Sequence, residues 1–345
     1  MLDCQIYQED LERILSADLP WEKLRGRKVL VTGATGMVGS LLVDVLASVM
    51  DDNGFELFVM SRNRAELDRL FSVHGVHRGF NIVAHDVNKP LDLPCDTVFH
   101  CASNTHPRLY SSDPIGTIST NVIGLSNLLE MAASKEGGRF VFLSSVEIYG
   151  QNRGDVDAFD ESYCGYIDCN TVRAGYNESK RVGEALCQAY HAQKGLDFVI
   201  PRLSRLYGPS MRLDDSKAMS QFIRNAAKGE DIVLKSKGDQ YFSYCYASDA
   251  VSAILHIFFH GECGCAYNVS GLDSDATLVD IAHELASIAG VEVRFDIPDE
   301  VERLGYSTAT KAVLDISKLR ATGWMPDVSL NEGLRKTVSS LASRI

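Results

Sequence analysis

Strand-like and helical patterns alternate along this chain from Lys28 onwards, and a glycine-rich turn joins the first strand to the first helix. Lys28–Thr32 is an apolar run that predicts a buried strand, and a helical pattern follows over 37–50. Further strand-like runs lie at 56–60, 80–84, 97–101, 140–144 and 198–203, separated by helical patterns around 62–72, 114–134 and 173–194. This alternation predicts an α/β fold with a doubly wound parallel sheet and helices on both faces.

Composition excludes several classes of function. The 345 residues carry a formal net charge of -12, which argues against a surface for nucleic acid. The apolar stretch 251–259 is too short to span a bilayer, and the N-terminus lacks the basic and apolar regions of a secretory signal. The nine cysteines include no Cys-x-x-Cys pair, which favours small core residues in a reducing compartment over a metal site. We expect a cytoplasmic globular protein with no metal, nucleic-acid or membrane partner.

The turn between the first strand and the first helix reads Gly33-Ala-Thr-Gly36-Met-Val-Gly39. In this position glycines let backbone amides approach a pyrophosphate at a helix N-terminus, which predicts a Rossmann dinucleotide site. Cofactor contacts are expected in this turn and after the following strands. The predicted residues are Gly33, Thr35, Gly36, Met37, Val38, Gly39, Ser61, Arg62, Asp86, Val87, Cys101, Ala102 and Ser103.

The pattern changes after residue 201, where loop, helix and short strand are mixed over 210–245 and helices are predicted at 249–260, at 277–289 and from 330. We therefore divide the chain into three parts. A helical leader covers 1–26, and the Rossmann domain covers 27–201 with a return element at about 240–260. A smaller C-terminal substrate-binding lobe covers 202–239 and 261–345.

The end of the second strand bears on the choice of cofactor. An acid at this point would hold the ribose hydroxyls of NAD, but the chain has Ser61-Arg62-Asn63. An arginine here neutralises a 2′-phosphate, so we predict NADP. NAD is the alternative, in which Arg62 stacks on adenine or caps a helix.

Tyr176 precedes Lys180 by four residues, so the two side chains share one helical face. An ammonium beside a phenol favours the phenolate and lowers its pKa from about 10 towards working pH. Ser145 follows the fifth strand, at the sheet edge where ligands bind in such folds. Its hydroxyl can hold the substrate oxygen with which Tyr176 exchanges a proton. The alternative reading of Tyr176 and Lys180 is a solvated helical face.

These blocks, taken in order, resemble the extended short-chain dehydrogenase/reductase family, in particular its nucleotide-sugar epimerases, dehydratases and decarboxylases. The resemblance covers nearly the whole chain and rests on residues 32–39, 119–124, 144–150, 176–180, 202–209, 246–249 and 315–326. Residues 100–103 and 172–176 look most like those of UDP-glucuronate decarboxylases.

The resemblance implies a role for each candidate residue. Tyr176 is the base, Lys180 tunes it and grips the nicotinamide ribose, and Ser145 binds the 4-hydroxyl of a sugar. Asn121 joins Tyr176 and Lys180 in the cofactor site. Hydride transfer from C4 then gives a 4-ketone that acidifies C5 and stabilises charge after loss of a carboxylate. Glu147 matches the acid that decarboxylases and 4,6-dehydratases place beside C5.

The chain departs from the family pattern on the substrate side. Phe242 stands where relatives carry an arginine that contacts the diphosphate or assists decarboxylation, and Arg205 replaces an asparagine. We hypothesise that Arg205, helped by Arg212, neutralises the substrate diphosphate, because a buried unpaired dianion is very costly. The alternative is that Arg205 is a surface residue. Val146 replaces the aspartate of dTDP-glucose-type dehydratases and disfavours that subclass.

The leading functional hypothesis is an NAD(P)-dependent enzyme that modifies a nucleotide-diphosphosugar through a 4-keto intermediate, in the manner of a decarboxylase or dehydratase. An NADPH-dependent 4-ketoreductase, which Arg62 favours and Glu147 does not, is the first alternative, and a 4-epimerase is the next. A cofactor-binding regulatory protein is the non-enzymatic alternative, and the Ser145, Tyr176 and Lys180 set argues against it. The helices around 114–134 and 173–194 form a dimer interface in relatives, which implies a homodimer.

Overall fold

A large parallel sheet forms the centre of the computed structural model, which describes residues 1–104, 112–297 and 310–345 and so includes every candidate site residue. The strands are β1 Lys28–Thr32, β2 Glu56–Ser61, β3 Phe80–Ala84, β4 Thr97–His100, β5 Arg139–Phe142, β6 Ser144–Ser145, β7 Asp197–Leu203, β8 Arg205–Tyr207, β9 Ile232–Leu234, β10 Tyr241–Tyr246, β11 Cys265–Val269, β12 Asp275–Thr277, β13 Val293–Phe295 and β14 Lys311–Ala312.

The large sheet has the strand order β3-β2-β1-β4-β5-β7-β11, and the short β6 pairs with β7. Every pairing in it is parallel. The order reverses between β1 and β4, so the connections leave these neighbours in opposite directions and open a crevice at their carboxyl ends. The predicted α/β class with a doubly wound Rossmann sheet is confirmed.

Helices cover both faces of this sheet and build the second lobe. They are α1 Gln5–Leu15, α2 Met37–Asn53, α3 Arg64–Phe71, α4 Pro114–Ser119, α5 Leu125–Ala133, α6 Ala174–Lys194, α7 Ala218–Lys228, α8 Ala247–His260, α9 Leu278–Ala289, α10 Ser317–Arg320 and α11 Leu330–Ala342. A π-helical turn, Thr120–Gly124, joins α4 to α5. Buried apolar residues of α2 and α8 share one core with β1 and β2, and those of α5 share another with β4 and β5.

The smaller lobe has its own apolar core. Its sheet has the order β12-β10-β14, and β8 pairs in parallel with β10. Strand β10 lies inside the predicted return element, whereas β11, inside the range predicted for the lobe, joins the large sheet. The division of the chain into domains stays a prediction, but β8 and β10 bring the lobe to the carboxyl edge of the large sheet.

The leader forms α1, which lies against α2, α8 and α11. The phenol of Tyr7 donates a hydrogen bond to Asp44 at 2.6 Å, and Arg13 forms an ion pair with Asp249 at 3.1 Å. The leader therefore contacts the Rossmann helices as well as the end of the chain. None of the helices in the described ranges is both long and apolar enough for a transmembrane span.

Candidate active site

The turn after β1 has the geometry of a pyrophosphate cradle. Gly33 has a φ of +63°, a left-handed conformation that glycine adopts without strain, and a Cβ there would lie 2.6 Å from the backbone nitrogen of Ala102. A Cβ on Gly39 would overlap the carbonyl oxygen of Gly33. These two glycines let the first turn of α2 approach the strand ends closely, so the residues present fit a dinucleotide at a helix N-terminus.

A cleft with a volume of about 860 Å³ runs from this turn to the smaller lobe. The predicted site residues that line it are Gly33, Thr35, Gly36, Met37, Val38, Gly39, Ser61, Arg62, Asp86, Val87, Cys101, Ala102, Ser103, Ser145, Glu147, Tyr176, Lys180, Arg205 and Arg212. Residues from distant parts of the chain thus meet around one cavity. Asn121 is fully buried and lies behind its wall.

The phenol of Tyr176 is buried in this wall, beside the hydroxyls of Ser145 and Ser103, to which it is hydrogen-bonded. Burial raises the pKa of Tyr176 to about 12, the two hydrogen bonds lower it, and the Glu147 carboxylate raises it further. The expected lowering of this pKa by Lys180 is therefore not what the structure shows, because desolvation of the phenolate outweighs the favourable contacts.

The ammonium of Lys180 is also buried, and it donates a hydrogen bond to the carbonyl oxygen of Leu143 at 2.7 Å. It lies 4.7 Å from the ring centre of Phe142. Burial lowers the pKa of Lys180 to about 8. With a pKa this low, the Lys180 ammonium can gain or lose its proton when a charged ligand enters the cleft.

Asn121 acts on the helix that carries Tyr176. Its side chain accepts a hydrogen bond from Ser103 at 2.8 Å and donates one to Ser179 at 2.9 Å. Ser179 in turn donates to the carbonyl oxygen of Tyr176 at 2.9 Å. Asn121 lies in the π-helical turn, a local widening of the helix that occurs often at functional sites. In this structure Asn121 connects Ser103 at the cleft to the first turn of α6.

A second buried network, which none of the predicted site residues indicates, supports Ser145. Ser144 donates a hydrogen bond to Glu184 at 2.6 Å, and Arg202 contacts both oxygens of Glu184 at 3.0 and 2.6 Å. Glu184 lies four residues after Lys180, on the same face of α6. This spacing of four residues is the sequence feature that could have predicted that Glu184 lies near the site. The bidentate pair fixes the end of β6 against α6 and β7.

Arg205 lies next to the candidate acid. Its Nη2 is 3.3 Å from the carboxylate of Glu147, and its guanidinium lies 3.5 Å from the ring centre of Phe242. The amide of Asn177 contacts the same carboxylate at 3.4 Å and donates to the Glu147 carbonyl oxygen at 2.9 Å. Arg205, which replaces the asparagine of the relatives, thus stacks on Phe242, which replaces their arginine.

Arg212 lies at the other end of the cleft. Its guanidinium contacts Asp214 at 3.0 Å and Glu66, on α3, at 3.2 Å. Two residues earlier, Ser210 donates a hydrogen bond to the carbonyl oxygen of Met37 at 3.1 Å. The loop after β8 therefore crosses to the glycine turn and to α3, while Arg205 and Arg212 point to different parts of the cleft.

Comparison with known proteins identifies the family of the chain. The model of the NAD dependent epimerase/dehydratase family matches residues 29–270. UDP-glucuronic acid decarboxylase 6 of Arabidopsis thaliana is 34% identical over 309 residues, which cover 89% of this chain and 86% of the relative. UDP-glucuronic acid decarboxylase 1 of Xenopus tropicalis is 31% identical, and the alignment covers 96% of this chain and 76% of the relative.

Among solved structures, the UDP-glucuronic acid 4-epimerase of Bacillus cereus, in complex with UDP-glucuronic acid and NAD, superposes with a TM-score of 0.78 at 22% identity. The superposition covers 92% of this chain and 100% of that one, and it shows a shared fold. The resemblance to extended short-chain dehydrogenase/reductases, and among them to UDP-glucuronate decarboxylases, is thereby confirmed. The chain belongs to the NAD-dependent epimerase/dehydratase family of enzymes.

Proposed function

We propose that this protein is an NAD(P)-dependent enzyme that modifies a nucleotide sugar through a 4-keto intermediate, and that its net reaction is decarboxylation of a nucleotide-linked uronic acid. The observation that carries the proposal is the convergence of Ser145, Tyr176 and Glu147 on the cleft that begins at the glycine turn. The relatives at 34% and 31% identity are UDP-glucuronic acid decarboxylases, which supports the same reaction class.

Each side chain has a place in this chemistry. A bound nicotinamide supplies a hydride acceptor for the sugar, and binding of its oxidised form brings a positive charge to the cleft. Ser145 holds the 4-hydroxyl oxygen, and Tyr176 exchanges the proton of that hydroxyl. Lys180 lies one helical turn from Tyr176, where it can bind the nicotinamide ribose. Glu147 faces the C5 side of the sugar.

Decarboxylation balances without an external oxidant. A ketone at C4 makes the C5 carboxylate a β-keto acid, so the C5–C6 bond can break with its electron pair retained in the C4–C5 enolate. Protonation at C5 and reduction of the C4 ketone complete the reaction, and a nicotinamide held at the glycine turn and Lys180 would supply the hydride for that reduction. The oxidation and the reduction at C4 therefore cancel, and the net reaction would need no external oxidant or reductant.

A second candidate is an NADPH-dependent 4-ketoreductase, which the position of Arg62 at the end of β2 favours. Arg62 supports NADP over NAD, whereas an enzyme that recycles its cofactor internally needs no such preference. The cofactor content of the purified protein distinguishes the two functions. A retained oxidised cofactor supports internal redox chemistry, and a protein that is isolated without cofactor and consumes NADPH with a 4-keto sugar nucleotide supports the reductase.

The net reaction can be tested by mass spectrometry of UDP-, dTDP-, GDP- and CDP-sugars after incubation with the protein. Decarboxylation predicts loss of the mass of carbon dioxide from a nucleotide-linked uronic acid. Loss of the mass of water indicates a dehydratase, and a change of sugar without a change of mass indicates an epimerase. Either result in place of carbon dioxide loss contradicts the proposed net reaction.

We further propose a homodimer through the helices that the resemblance implicates. Ile115 and Ile118 on α4 are 78% and 42% exposed, Ile123 in the π-helical turn is 51% exposed, and Val182 on α6 is 42% exposed. Helices α4 and α6 contact each other, so these apolar side chains belong to neighbouring elements. Apolar groups gathered on adjacent helices are suited to burial against a second copy of the chain.

A further inference from the structure

The wall of the cleft formed by the smaller lobe contains polar atoms that lack partners among the described residues. Nη1 of Arg205, the hydroxyl of Tyr244 and the hydroxyl of Ser204 are buried, and none has a hydrogen-bond partner within residues 1–104, 112–297 and 310–345. Tyr244 as a whole is only 1% exposed. Buried polar groups in native proteins nearly always have partners, so unused donors in a cavity wall indicate a ligand.

Strand pairing places two of these groups together. Strands β8 and β10 are parallel, and Arg205 lies directly opposite Tyr244 in their register. Side chains of paired residues project from the same face of a sheet. Phe242, two residues before Tyr244, projects from that face too, and its ring supports the guanidinium. Arg205 and Tyr244 are therefore fixed side by side.

Only part of the Arg205 guanidinium contacts Glu147. Nη2 of Arg205 faces the Glu147 carboxylate at 3.3 Å, and Nη1 has no hydrogen bond to the described residues. A guanidinium has a fork of donors that suits a planar carboxylate, and a phenol hydroxyl can donate to a second carboxylate oxygen. The unused donors thus match a carboxylate.

We infer that Nη1 of Arg205 and the hydroxyl of Tyr244 bind the carboxylate at C5 of a nucleotide-linked uronic acid. The inference rests on the proposed function, because Glu147 marks the C5 side of the sugar there, and Arg205 contacts Glu147. It assigns Arg205 to the sugar carboxylate in place of the diphosphate. When carbon dioxide leaves, the guanidinium keeps its ion pair with Glu147, so the reaction leaves no buried cation unpaired.

Equilibrium binding distinguishes a carboxylate site from a general nucleotide site. UDP-glucuronate and UDP-glucose differ in the group at C5 and share the diphosphate, so their affinities are compared by titration calorimetry in the wild type, Tyr244→Phe and Arg205→Met. We expect Tyr244→Phe to weaken UDP-glucuronate binding about tenfold and Arg205→Met to weaken it more, with UDP-glucose nearly unaffected. Tyr241→Phe is the matched control, because Tyr241 lies on the same strand, is exposed and is outside the cleft.

Equal weakening of both nucleotides would place Arg205 at the shared diphosphate and overturn the inference. So would unchanged UDP-glucuronate binding in Tyr244→Phe, or a wild type without preference for UDP-glucuronate. Thermal unfolding shows whether each variant is folded, and the ratio of the two affinities is insensitive to a partial loss of folded protein. Selective loss of UDP-glucuronate binding without any carbon dioxide release by the wild type would uphold the site and refute the proposed reaction.

Discussion

Tyr176 and Lys180 show how burial sets the properties of single residues in this cleft. Burial raises the pKa of the Tyr176 phenol to about 12 and lowers the pKa of the Lys180 ammonium to about 8. Both shifts favour the uncharged form of the side chain. The pair is therefore closer to neutral than its spacing in the sequence predicts, and a cation beside the phenol would favour the phenolate.

Replacement of Tyr176 by phenylalanine removes the proton-exchange group and leaves the ring. We expect kcat to fall by about 10²–10⁴-fold, because that is the usual contribution of a positioned general acid or base. Cofactor content after purification should be little changed. Tyr190→Phe on the same helix is the control, since its hydroxyl contacts Glu130 at 3.1 Å, away from the cleft. Retained turnover in Tyr176→Phe would exclude Tyr176 as the base.

The lowered pKa of Lys180 predicts that the free energy of unfolding depends on pH. Its pKa is lowered from 10.5 to about 8 in the folded protein, so between these values the unfolded chain holds a proton that the folded protein has released. The free energy of unfolding that Lys180 contributes therefore rises with pH over this window, and the full cost of burying the ammonium applies below about pH 8.

The difference in unfolding free energy between the wild type and Lys180→Met isolates the contribution of Lys180 from those of the other titrating groups. Urea unfolding from pH 7 to pH 10 should show the wild type gaining stability relative to the variant as the pH rises. A difference that stays constant, or that changes in the opposite direction, would contradict a lowered pKa for Lys180.

At the scale of elements, α1 connects parts of the chain that are far apart in sequence. Arg13 contacts the buried Asp249 at the start of α8 at 3.1 Å and Asp327, before α11, at 3.0 Å. The buried Asp10 accepts a hydrogen bond from Tyr246 at 2.7 Å and lies 3.6 Å from Lys336. The leader thus contacts both the end of β10 and the final helix.

Replacement of Arg13 by methionine leaves the Asp249 carboxylate buried without its cation. We expect the free energy of unfolding to fall by about 3 kcal/mol, since breaking a buried ion pair from one side is strongly destabilising. Addition of Asp249→Asn should recover part of the loss. The control Arg64→Met breaks the exposed pair with Asp68, 2.9 Å apart, and should cost less than about 1 kcal/mol. Equal effects of the two arginine replacements in urea unfolding would refute this role of the leader.

At the scale of the whole molecule, the cleft lies between two cores. The Rossmann sheet supplies the glycine turn and Ser145, helix α6 supplies Tyr176, and the smaller lobe supplies Arg205 and Tyr244. Chemistry at the sugar therefore depends on the relative position of the two lobes. The proposed dimer helices lie on the Rossmann side, and α6 carries Tyr176 as well as the exposed Val182.

A charge at the proposed interface tests the dimer. Ile115→Glu should convert a dimer into a monomer, because a carboxylate cannot be buried there without a partner. Sedimentation velocity over a range of protein concentrations measures the change. Val73→Glu is the control, since Val73 is 54% exposed and lies after α3, outside the proposed interface. A monomeric wild type, or an unchanged dimer in Ile115→Glu, would refute the proposal.

The sequence by itself determined the features that depend on neighbours along the chain. Strands and helices follow local apolar periodicity, so β3 and the start of α11 lie where the pattern places them, and the turn at Gly33 needs only its own backbone conformation. The spacing of Tyr176 and Lys180 likewise survives in α6, because a helix keeps residues four apart on one face.

Only the tertiary structure decided the properties that depend on burial and on distant partners. The pKa of Tyr176 rises because the fold removes its phenol from water, an effect that spacing along the chain does not contain. Arg205 contacts Glu147 and Phe242 because β8 directly follows β7 of the large sheet and pairs with β10 in the lobe. Contacts between residues so far apart arise from strand register and lobe packing, which the local pattern of residues does not encode.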